Sequence, residues 1–167
     1  MRRNKATDHK LLYEKLYRLF DGATPLKTDC GVLCEKACCG GDAQTGMLLF
    51  PHEETPLQVI AADGRRLAVC DGVCDRSSRP LSCRIFPLFP ALDENGRIRV
   101  VADLRGAGIC PLARHSEDVI FDPRFVRRVK KAGKLLASDP ACGAFLEEIG
   151  GELAALAELK ARMESDV

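Results

Sequence analysis

Cys30-Gly31-Val32-Leu33-Cys34-Glu35-Lys36-Ala37-Cys38-Cys39-Gly40-Gly41 is the stretch that decides how the rest of the chain is read. It puts four thiols between residues 30 and 39 and closes on two glycines. Cys30, Cys34 and Cys38 are each four apart, so a helix would carry all three on one face. Cys39 would then point about 100° away. A loop of the same spacing serves equally well, and Gly40-Gly41 suits either a helix end or backbone wrapped around a cluster. Downstream, Cys70, Cys74, Cys83 and Cys110 form a second set, and Cys142 stands apart.

Nine cysteines among 167 residues need a chemical reason. An odd count argues against a disulfide framework. Nothing after Met1-Arg2-Arg3 forms an apolar signal core, because Asp8, Lys10, Glu14, Lys15 and Arg18 interrupt it. No stretch is apolar for long enough to cross a membrane. The expectation is a cytoplasmic chain, where thiols stay reduced and are either buried singly or bound to metal. Clustering of eight of the nine between residues 30 and 110 favours metal.

Composition narrows the partners. The formal net charge is +1, Trp is absent and aromatic residues make up 5%. That leaves no electrostatic or base-stacking case for nucleic acid. A basic run, Arg124, Arg127, Arg128, Lys130, Lys131 and Lys134, reads as the solvated face of a helix. Glu53-Glu54 and Glu147-Glu148 read as solvated surface too.

Around the cysteines the local signals are those of an α+β domain. Residues 7–21 form an amphipathic helix, with Leu12, Leu16, Leu19 and Phe20 at helical spacing and Leu11, Tyr13 and Tyr17 beside them. Thr7 or Asp8 would cap it, and Asp21-Gly22 would stop it. Gly46–Phe50 reads as a strand. Thr55-Pro56 suggests a short helix to Ala62, and Asp63-Gly64 a turn into a strand over Arg66–Val69. Residues 86–92 and 98–103 flank Asp93-Glu94-Asn95-Gly96 as a hairpin, with Pro87 and Pro90 putting the first strand at an edge. Asp122-Pro123 and Asp139-Pro140 each resemble an N-cap followed by proline at the first helical position. They open helices to about Ala137 and about Glu164, the second loosened at Gly150-Gly151. Cys142 falls on the apolar stripe of that second helix and reads as a small buried hydrophobe. The expected organisation is one domain over residues 1–167. Its cysteine core spans about 26–112 and a helical region spans about 116–164, with no repeat or low-complexity linker.

Sulfur-rich ligation suits zinc, iron–sulfur clusters or copper(I). Eight thiolates fill two four-coordinate sites or one larger cluster. Side chains of adjacent residues diverge, so Cys38 and Cys39 would serve two metals or two corners of one cluster. The spacing matches neither the paired Cys-x2-Cys of zinc ribbons nor a ferredoxin run. No phosphate-binding glycine loop or His-Glu-x-x-His appears. His115, five residues past Cys110, is a further ligand type, but eight thiols already complete two sites. No group is in evidence to orient a Cys110–His115 catalytic pair, and no stand-alone catalytic activity is assigned.

The Cys38-Cys39 pair, followed by Arg79-Pro80-x-x-Cys83-Arg84-x-Phe86-Pro87, resembles the YkgJ-type cysteine-cluster family. That family is described as a zinc- or iron-chelating domain. The resemblance spans roughly residues 30–111, although the first cluster here has three-residue gaps where the family pattern has two. It implies a ligand set of Cys30, Cys34, Cys38, Cys39, Cys70, Cys74, Cys83 and Cys110. Family members also occur fused to flagellin lysine methylases linked to iron–sulfur chemistry. Arg79 and Arg84 flank Cys83, and their positive charge would offset the negative charge of a thiolate centre. The reading is therefore a protein that holds zinc or iron–sulfur, as an interaction or assembly module for a protein partner. The alternative is an iron–sulfur redox protein, or an accessory to an enzyme such as a protein methylase.

Overall fold

A computed structural model describes residues 5–40, 46–72 and 75–165. Among these residues, five α-helices and two small antiparallel sheets form one α+β fold. Helix α1 (Lys5–Leu19) begins ahead of its expected caps. Its buried face is Tyr13, Leu16 and, just past its end, Phe20, whereas Leu11 is 43% exposed. Gly22 takes a left-handed φ of 63° and turns the chain away.

Strands β1 (Met47–Leu48), β2 (Gln58–Ala62) and β3 (Arg65–Val69) form a three-stranded sheet in the order β1-β3-β2. Residues 56–62 are thus not the short helix that Thr55-Pro56 suggests. The two-residue turn Asp63-Gly64 has positive φ at both positions, 51° and 74°, which suits a tight hairpin. It sets Ala62 opposite Arg65 and Val59 opposite Ala68. The β-branched Val59 and Ile60 suit this pleated pairing. Thr55 does accept the Leu57 N–H at 3.3 Å, but as a turn and not as a helix cap.

After the short helix α2 (Leu81–Ile85) and a cis Phe86–Pro87 bond comes the second sheet. It is a hairpin of β4 (Leu88–Leu92) and β5 (Ile98–Ala102), paired from Leu88↔Ala102 to Leu92↔Ile98. In its turn only Gly96 has positive φ, and Asp93 braces the backbone by accepting the Asn95 and Arg97 N–H groups at 3.0 and 2.8 Å.

A short helix α3 (Pro111–Arg114) leads to α4 (Pro123–Leu136) and α5 (Pro140–Ser165). Both long helices start as their Asp-Pro pairs predict. Asp122 caps the Arg124 N–H at 2.8 Å, and Asp139 accepts the Ala141 and Cys142 N–H groups at 3.0 Å each. α4 buries Phe125, Val129, Ala132, Gly133 and Leu136, leaving Arg124, Arg127, Lys130, Lys131 and Lys134 in solvent and Arg128 half-buried. α1, α4, α5 and the hairpin close one core around Leu16, Phe50, Leu81, Phe125, Leu146 and Ile149. Phe50 stacks on Phe89 at 5.9 Å, and Phe20 meets Phe125 edge-on at 5.9 Å. Among the described residues, no helix is long and apolar enough to cross a membrane.

The glycines of α4 and α5 do different work. α5 runs unbroken through Gly150-Gly151, so the expected loosening is absent. Gly150 packs against Ala91, whereas Gly151 faces open space. A Cβ on Gly133 would lie 2.6 Å from the Pro90 Cβ and 2.8 Å from Ile98 Cγ2. Gly133→Ala should therefore lose about 1–2 kcal/mol, since overpacking outweighs the gain in helix propensity. Gly151→Ala should gain up to about 1 kcal/mol. Urea unfolding of both variants checks the pair, and equal shifts would refute this division.

Candidate metal centre

The first cysteine cluster is not a helix. Asp29 accepts the Gly31 N–H at 3.0 Å and starts a single 3-10 turn, Cys30–Val32. Glu35 and Lys36 then take left-handed φ values of 50° and 60°. A second 3-10 turn follows at Ala37–Cys39, with Lys36 N–H donating to Gly31 O at 3.1 Å. The left-handed pair breaks the i, i+4 face that a helix would offer, and the segment folds back on itself.

This reversal gathers sulfurs. The Cys38 thiol hydrogen-bonds that of Cys39 and senses Cys34 and Cys30. Cys38 and Cys39 share the short second 3-10 turn. Cys30 and Cys34 both interact with Cys110, which arrives from far down the chain. Burial, and then the neighbouring Cys39, pushes the Cys38 thiol up to about 12. Burial also raises Cys30, helped by Asp29, Cys110 and Cys34. At Cys110 burial again raises the thiol, against the pull of the Ala113 and Leu112 N–H groups.

Local braces deliver the other segments. Cys110 is buried among Leu112, Ala113 and the half-buried Cys30, Leu26 and Phe86. Its approach loop is held by Arg114, which donates to Ala107 O at 2.8 Å and Gly108 O at 2.9 Å. Gly106 lets that loop lie against the Phe86 ring. Cys70 is 8% exposed at the end of β3. A backbone bridge between Gly40 and Asp71 ties it to the end of the first cluster, and Cys38 and Cys70 line one cavity of about 500 Å³. Cys83 is half-buried on α2, next to Ser82, which lines the same cavity. Cys74 and Gly41 lie outside the described residues. An Arg76–Asp29 ion pair at 3.0 Å connects the turn after Cys74 to the start of the first cluster.

The described cysteines carry no disulfide. Two groups of three ligand-type side chains converge within 4.8 Å among the described residues, and neither contains a cysteine. They are His9, His52 and Asp139, and the exposed His115, Glu117 and Asp118. His115 therefore sits with carboxylates. Cys142 lies in the core, fully buried, with its sulfur 3.9 Å from the Tyr13 hydroxyl and 3.7 Å from Pro51 O.

Of the two arginines beside Cys83, Arg84 has backbone and ring partners. Arg84 donates to Arg79 O at 2.7 Å and Ser77 O at 2.8 Å, and its guanidinium covers the Tyr17 ring at 4.5 Å. It fastens the loop before α2 onto α1. Arg79 is half-buried.

Glu53 corrects the expectation of solvated surface at Glu53-Glu54. Glu54 is exposed, but Glu53 is fully buried. Its Oε1 accepts the Tyr17 hydroxyl at 2.8 Å and the Leu81 N–H at 2.6 Å, and its Oε2 accepts the Phe50 N–H at 3.1 Å. One carboxylate thus joins α1, the chain after β1, and the first residue of α2, the helix that carries Cys83. No local pattern marks it, because its partners come from three separate segments.

No protein-family model, curated protein or solved structure matches this chain.

Proposed function

We propose that this chain is a metal-binding protein, with zinc or an iron–sulfur centre held by Cys30, Cys34, Cys38, Cys39, Cys70, Cys74, Cys83 and Cys110. One observation carries the reading. The fold of the Cys30–Cys39 segment packs Cys30 against the distant Cys110 in one small buried cluster, and Cys70 borders the same cavity as Cys38. The donor set fits a soft or borderline metal. The sulfurs would draw together and release protons as metal binds, the usual coupling of ligation to folding. The resemblance to the YkgJ-type family supports the same ligand set. Zinc would make this cytoplasmic chain an interaction or assembly module for a protein partner.

A second reading has its own support. Cys38 and Cys39 sit side by side in one 3-10 turn and interact electrostatically, which suits two corners of one polynuclear cluster. An iron–sulfur centre would then serve redox chemistry or a partner enzyme such as a protein methylase, with Arg79 and Arg84 offsetting its charge.

Purification without oxygen, followed by an absorption spectrum and a count of metal and sulfide, tests both. About two zinc ions per colourless chain is the expected result for the module. A brown protein with acid-labile sulfide would establish the second reading instead. A chain with neither metal would overturn the proposal.

A further inference from the structure

Away from the cysteines, three side chains that are remote in sequence meet at one point. His9 comes from α1, His52 from the turn after β1, and Asp139 caps α5. His9 Nε2 lies 3.3 Å from Asp139 Oδ2, and His52 Nε2 lies 3.8 Å from Oδ1. The imidazole rings are parallel within 4°, with centroids 3.8 Å apart. His52 holds this position with a left-handed φ of 63°, a conformation that costs energy in most residues.

We propose that His9, His52 and Asp139 form a second metal site, separate from the thiolates, for one divalent cation of the zinc, nickel or cobalt type. Two imidazoles and a carboxylate are the donors such ions prefer. Bond lengths of about 2.0–2.1 Å set ligand atoms of a tetrahedral zinc site roughly 3.3 Å apart, the distance His9 and Asp139 already have. His52 closes on the ion by a small swing that tilts its ring out of the stack. The His52 side chain is 39% exposed, which leaves room for that motion and for water in the fourth position.

Asp139 is held ready. The Ala141 and Cys142 N–H groups fix its Oδ1, which lies nearest His52, and Oδ2 faces His9. Such outer partners orient metal-binding carboxylates. The α5 N-terminus repels a cation, and the Asp139 charge offsets it. A bound ion would tie α1, the Pro51–His52 turn and α5 together.

Cobalt(II) separates this site from the cysteines, because thiolate sites give an intense sulfur-to-cobalt charge-transfer band and imidazole–carboxylate sites do not. Protein already saturated at its thiolates should take up one more equivalent, with weak visible absorption, no gain in that band and a higher melting temperature. His52→Asn, which tolerates positive φ, and Asp139→Asn, which keeps the helix cap, should each weaken this binding at least about tenfold. Absence of the extra equivalent overturns the site. So does equal affinity in both variants, or a melting temperature that depends on pH through His52 but ignores cobalt. Failure at the thiolates would appear separately, as loss of the charge-transfer band.

Discussion

Glu53→Ala is expected to cost about 3–5 kcal/mol and to leave most of the chain unable to hold α2 in place. The substitution strands the Leu81 N–H, the Phe50 N–H and the Tyr17 hydroxyl in the core. Each buried polar group left unsatisfied costs about 1–3 kcal/mol, and removing the buried charge returns part of that sum. Glu53→Gln keeps one acceptor but turns an amide N–H2 toward donors, so it should fall between wild type and alanine. Urea unfolding measures the series. A loss under about 1 kcal/mol for alanine would show that the three donors find other partners.

The same carboxyl predicts a pH effect. Burial pushes it above the ordinary carboxylate range, against the pull of the Leu81 N–H, the Tyr17 hydroxyl, the Phe50 N–H and Arg84. A folded-state pKa above the unfolded one means the group's contribution is fully present below the unfolded pKa. It is lost as pH rises through the folded value. Glu53→Gln should remove that component of the pH profile.

The second large effect concerns the sulfurs. Cys110→Ser and Cys83→Ser should each lose bound metal, and the segments around residues 30–40 and 104–110 should loosen. Structural zinc is worth about 10–16 kcal/mol in small domains that lack another core. Here the core of α1, α4, α5 and the hairpin is larger than, and distinct from, the small cluster around Cys110. The expected outcome is therefore a partly unfolded chain that keeps its long helices, seen as retained far-UV dichroism with reduced metal content. Cys142→Ser should keep the full thiolate-bound metal, since Cys142 packs in that core. If metal is lost from Cys142→Ser as well, the division into eight ligands and one core thiol is wrong.

What could be read from the residues follows the range of the physics. α4 and α5 were legible because Asp-Pro starts and the apolar stripe of α4 act within a few residues. The β4–β5 hairpin was legible for the same reason, with Asp93 and Gly96 doing local work. The Thr55–Ala62 stretch misled because a proline after threonine favours a helix start locally, while the Asp63-Gly64 turn and pairing with β3 decide the outcome. The first cysteine cluster depended on left-handed φ at Glu35 and Lys36, two residues with no special preference for it. Glu53, and the meeting of His9, His52 and Asp139, depend on contacts between distant segments. No periodicity reports those.

The turn at residues 51–53 shows what this means for the chain's freedom to change length. Pro51 offers its carbonyl to Tyr13, His52 faces Asp139, and Glu53 gathers Tyr17, Phe50 and Leu81. Three consecutive residues thus answer to α1, α5 and α2 in turn. One inserted residue would put every later anchor out of phase. Surface turns usually absorb insertions. Residues 94–97, exposed at the tip of the β4–β5 hairpin, have that latitude, but residues 51–53 do not. A graft, tag or fused domain belongs at the hairpin tip.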